Sequence, residues 1–130
     1  MKKIAILNCL KSAGNSCTGA ACLQAFYRRT GAFEQYAGEE LELTAFFQCN
    51  GCGANAEDSP GLQKKINRIL EIHPDAVHVG VCTLTRDGTR CNEIQEMIGV
   101  FLENGIPVLD GTHSSALLTH PGAPVSYNMQ

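Results

Sequence analysis

The chain has 130 residues, enough for a single domain with a sizeable core. Its hydrophobic share of 44% and charged share of 18% are those of an ordinary globular fold. A net charge of −3 without any basic cluster argues against nucleic acid or an anionic membrane surface as partner, and no apolar run is long enough to span a bilayer.

Taken in chain order, the start "MKKIAILNCLKSAG" has the look of a signal peptide. Its apolar run breaks at Asn8 and Cys9, however, and Lys11 follows, so "KIAILNC" (3–9) is expected as the first strand of a cytoplasmic protein. "SAGNSCTG" (12–19) is a small-residue loop in which Thr18 or Ser16 is the expected helix cap. "AACLQAFYRR" (20–29) is helical, with Gly31 closing it. "ELTAFFQC" (42–49) is a second strand, and "NGCGANAEDSPG" (50–61) a loop. Ser59 is the expected cap of the next helix and Pro60 its first residue. "LQKKINRILEI" (62–72) places Leu62, Ile66, Ile69 and Leu70 on one face. "AVHVGVC" (76–82) is a third strand, "CNEIQEMIGVFLENG" (91–105) a helix and "IPVLDGTH" (106–113) a short fourth strand. The remainder, 114–130, has no period and reads as a tail or cover segment, leaving one domain over 1–113.

Strand–helix–strand alternation with compact loops predicts right-handed crossovers and a parallel sheet covered on both faces. The expected fold is an α/β three-layer sandwich of flavodoxin-like kind, with about four strands in the order 2-1-3-4. Ligands of such sheets sit at the carboxyl ends of the strands.

That rule bears on the cysteines. There are seven, an odd and unusually large number. In a reducing compartment such a set serves metal or redox chemistry more often than a disulfide framework. Strand one ends at Cys9 and its loop carries Cys17; strand two ends at Cys49, with Cys52 beyond. Strand three ends at Cys82 and leads to Cys91 at a helix start, and strand four ends at Thr112 and His113. Six cysteines and a histidine therefore converge on one edge. Cys22 alone falls inside a helix, where it reads as core. His73 before Pro74 reads as a helix end, His78 as structural, and Lys64, Lys65 and Arg68 as a solvated helix face. His120 lies in the tail.

In "FFQCNGCGA" (46–54) the pair Cys49 and Cys52 has the C-x-x-C spacing whose turn aims both sulfurs at one ion. Glycines 51 and 53 let the backbone turn tightly and offer amide N–H groups to sulfur. Helix N-termini near Cys17 and Cys91 favour thiolate over thiol. With these residues in this order, the chain resembles the CGGC-domain proteins over about residues 3 to 113. The signature reads "CNGC" at 49–52, with Asn50 in place of the first glycine. Cys9, "CTG" at 17–19, Cys82, Cys91 and "GTH" at 111–113 match the family's other cysteines and its terminal Thr-His. The resemblance implies metal binding, zinc being the usual suggestion.

The ligand pool is Cys9, Cys17, Cys49, Cys52, Cys82, Cys91 and His113, and thiolate-rich coordination restricts the metal to zinc, an iron–sulfur cluster or copper(I). The alternative is an enzyme working through thiols. The loop "CLKSAGNSC" resembles that of low-molecular-weight phosphatases and arsenate reductases, with Cys82 and Cys91 spaced for a disulfide relay from Cys9. That loop requires an arginine six residues after the nucleophile to clamp the oxyanion, and Asn15 stands there instead. A dithiol–disulfide oxidoreductase using Cys49 and Cys52 escapes this objection. A flavin or nucleotide site is disfavoured by the lack of a phosphate-loop pattern and of any Trp.

Overall fold

The computed structural model describes residues 1–10, 17–51, 59–80 and 92–112. The elements are β1 (Lys2–Asn8), α1 (Ala20–Arg28), a 3-10 helix (Gly31–Tyr36), β2 (Leu41–Gln48), α2 (Pro60–Ile72), β3 (Ala76–Val79), α3 (Asn92–Glu103) and β4 (Val108–Asp110). The described strands form one all-parallel sheet in the order β2-β1-β3-β4, the order expected from the sequence. The segment 114–130 lies outside the described residues.

β1 is a near-continuous apolar run because the sheet is covered on both sides. Ile4 and Ile6 pack with Cys22, Ala25 and Phe26 of α1 and with Phe33 and Tyr36 of the 3-10 helix. Ala5 and Leu7 face the other way, among Leu62, Ile66 and Ile69 of α2 and Ile94, Met97, Ile98 and Phe101 of α3. The 3-10 helix was not legible as an element in the sequence. It holds Ala32, Phe33 and Tyr36 against the sheet, and Ala32 N–H bonds the Thr112 carbonyl at 2.9 Å.

One irregularity decides which way the site residues face. The pairing of β1 with β2 slips between Ile4 and Ala5, whose partners are Leu43 and Ala45, so Thr44 is an extra residue in β2. Its hydroxyl donates to the Ile4 carbonyl at 3.2 Å. Since side chains alternate along a strand, the bulge reverses the faces beyond it. Leu41 and Leu43 pack on the α1 side, whereas Ala45, Phe47 and Cys49 pack on the α2 and α3 side.

Local signals account for the helix boundaries. Ser59 caps α2 by accepting from the Leu62 N–H, Pro60 begins the helix, and His73 ends it in a left-handed conformation, as expected. α1 departs from expectation. Its cap position is Gly19, at φ +79, and the Thr18 hydroxyl accepts from the Ala20 N–H instead of capping the helix. Ser16, the other expected cap, lies outside the described residues. Glycine suits the position twice over: the positive φ strains any side chain, and a Cβ would stand 2.8 Å from the Phe46 ring and force it to shift.

Candidate functional site

Buried polar residues among those described lie at the carboxyl half of the sheet: Asn8, His78, Asp110 and Thr112, each 0 to 1% exposed. Burying a polar group is costly unless it is hydrogen-bonded, so this distribution marks the edge as specialised. Asn8 ends β1 and Asp110 ends β4. Gly111, at φ +100, then turns the chain so that Thr112 Oγ1 lies 3.1 Å from Cys22 Sγ. The Cys22 sulfur also lies 3.9 Å from Asn8 Nδ2. Cys22 is core, as the sequence implied, but its sulfur belongs to the polar layer beneath the edge.

His78 anchors the same turn. Its Nδ1–H donates to the Gly111 carbonyl at 2.9 Å, which leaves Nε2 to accept from the Tyr36 hydroxyl at 2.7 Å. Burial pushes the imidazole down to about 4, so it is neutral at physiological pH, and burial raises the Tyr36 phenol.

Cys9 and Cys49 come together. Asn8 and Gln48 are register partners on adjacent strands, and the two cysteines follow them directly. Adjacent strands stand about 5 Å apart. The backbone confirms the proximity: the Leu10 N–H points at Cys49 Sγ, 3.5 Å away. Cys49 is buried and Cys9 half-buried. Cys17 is exposed and precedes by two residues the Gly19 contact with Phe46 of β2. Cys52, Cys82, Cys91 and His113 lie outside the described residues. Among the described residues, no three His, Cys, Asp or Glu side chains gather as a metal-binding group.

Sequence reasoning missed Lys65. It lies half-buried on α2, and its ammonium donates to the Gln48 carbonyl at 2.6 Å and to Asn50 Oδ1 at 2.7 Å. Burial lowers its pKa, and the neighbouring Cys49 acts to raise it. Lys64 and Arg68 are exposed, as a solvated face requires. The signal was present in the helical spacing. At about 100° per residue, Lys65 falls only 40° from Ile69 on the helix circumference, at the margin of the buried stripe.

A family model for the CGGC domain matches residues 3–113. The chain belongs to the CGGC-domain family. A curated relative, an uncharacterised protein of Methanocaldococcus jannaschii, is 29% identical over 120 residues, covering 86% of this chain and 87% of the relative. No solved structure matches the chain.

Gly51, the second glycine of the CGGC signature, has φ +104, a conformation that only glycine adopts at little cost. Asn50 stands where the family has its first glycine, and among described non-glycine residues only Arg29 and His73 take positive φ. The turn therefore needs one glycine of the pair, and this CGGC chain keeps that one.

Proposed function

We propose that the protein binds a thiophilic metal at the carboxyl edge of its sheet, with Cys49 and Cys52 of the CNGC turn as two of the ligands. The rest of the ligand set is drawn from Cys9, Cys17, Cys82, Cys91 and His113, and zinc is the first candidate, an iron–sulfur cluster the second. The observation that carries the reading is the Leu10 N–H directed at Cys49 Sγ where β1 and β2 end side by side. Amide N–H groups aimed at sulfur stabilise thiolate and orient it for a metal. Family membership supports metal binding in general. The donor types fit: thiolates and one imidazole suit zinc in tetrahedral coordination or a cluster on four sulfurs.

A second reading, a dithiol–disulfide oxidoreductase, draws on one further observation. The Lys65 ammonium bonds the residues on either side of Cys49, and a cation placed next to a cysteine serves a nucleophile as well as a ligand. Anaerobic purification followed by elemental analysis and an ultraviolet–visible spectrum separates the cases. A colourless protein with about one zinc per chain is the expected result. Brown colour with iron and acid-labile sulfide would assign a cluster. Absence of any metal, together with reversible oxidation of Cys49 and Cys52, would replace the metal reading by the dithiol one.

A further inference from the structure

We infer that Lys65 is a positioning residue of the CNGC centre, a cationic clamp that fixes the turn from outside and offsets the negative charge of its thiolates. The inference deepens the metal-binding reading and rests on it. Lys65 Nζ bonds the residues on either side of Cys49: the Gln48 carbonyl at 2.6 Å and Asn50 Oδ1 at 2.7 Å. An ammonium has three donors, and two of them here hold both flanks of one cysteine, one through the Gln48 backbone carbonyl and one through the Asn50 side chain. Asn50 is itself seated on α2, since a Cβ added at Gly61 would stand 3.3 Å from Asn50 Nδ2.

The position of α2 is in turn fixed by the Ser59 cap and by Leu62, Ile66 and Ile69 in the core. The turn that carries Cys49 is thus tied to a rigid element rather than left to its own stiffness. Asn50 has this role through its side chain: the glycine of the family signature has no side-chain oxygen to accept from Lys65. The Asn50–Lys65 pair supplies a restraint that the Gly-Gly form lacks. The charge matters as well as the geometry. Four thiolates on a divalent ion carry a net charge of about −2, and a partly buried cation beside them lowers the cost of assembling that centre.

Two variants and two readouts test this. K65M keeps length and apolar stem while removing charge and donors; N50G restores the Gly-Gly signature and removes the acceptor. In the zinc-loaded protein, K65M is expected to bind about 10- to 100-fold more weakly, the usual cost of losing an outer partner of a ligand. N50G should lose less, and the double variant no more than K65M alone, because the two residues act as one unit. With cobalt in place of zinc, K65M should also shift the sulfur-to-metal absorption, which a loss of general stability would not do. Independently of metal, amide hydrogen exchange at residues 49–51 should quicken in K65M while the core of β1 is unchanged.

Wild-type zinc affinity and wild-type exchange in K65M would overturn the clamp and leave the metal reading standing. If the wild-type chain takes up no metal, the metal reading falls. Exchange then decides the clamp: faster exchange in K65M supports it and unchanged exchange overturns it.

Discussion

His78 shows how a single residue ties the edge to the fold. It sits on β3, stacks at 4.5 Å on Phe33, and takes part in two hydrogen bonds that no charged imidazole could share in the same way, since Nε2 must accept. Its pKa is depressed by burial to about 4, so acid favours the unfolded chain, which takes up the proton first. The stability contributed by neutral His78 is full above about pH 6.5, falls as the pH drops toward 4 and is lost below it, on the order of 3 kcal/mol in all. Urea unfolding between pH 7.5 and 4.5 should therefore show a fall in stability that is shallower in H78Q. An equal slope in the variant would mean that His78 is not the group being titrated. The sequence placed His78 correctly as structural but could not show its partner. Tyr36 lies in the 3-10 helix, a short element whose i to i+3 bonds leave no long apolar period to read.

At the scale of elements, periodicity and punctuation carried most of the fold. Strands read as apolar runs because both faces are covered, and α2 announced both ends through Ser59, Pro60 and His73. Replacing Ser59 by Ala should cost about 1 kcal/mol, by loss of the bond to the Leu62 N–H, and lower the midpoint of thermal unfolding by a few degrees. An unchanged midpoint would show that Pro60 and core packing alone set the helix start. The face of Cys49 was harder to foresee. In "LELTAFFQC" the alternation runs through Leu41 and Leu43, then breaks at the adjacent Phe46 and Phe47. The break is the imprint of the Thr44 bulge, but a pair of aromatics in a strand covered on both sides gives the same pattern without one. Only pairing with β1 distinguishes them. Lys65 was misplaced for a related reason: a lysine at the edge of an apolar stripe can snorkel to water or turn inward, and its acceptors come from a turn far along the chain.

For the molecule as a whole, the parallel sheet converts sequence-distant cysteines into neighbours. Cys9 and Cys49 are 40 positions apart but follow register-paired residues on adjacent strands. A metal bound by both would cross-link β1 to β2, and one that binds the folded chain but not the unfolded one adds stability in proportion to ligand excess. At free zinc 100-fold above its dissociation constant the increment is about 2.7 kcal/mol. Urea unfolding with and without zinc should show it in the wild-type chain, and chelation should reverse it. Because each variant is compared with itself, the cost of the substitution in the metal-free fold drops out. C49S should lose most of the zinc-dependent increment. C9S tests the edge rather than the turn: if its increment falls as well, the ligands span two strands and the sheet builds the site. If C9S keeps the whole increment, Cys9 is not a ligand, and its place beside Cys49 contributes only the Leu10 N–H that faces the sulfur.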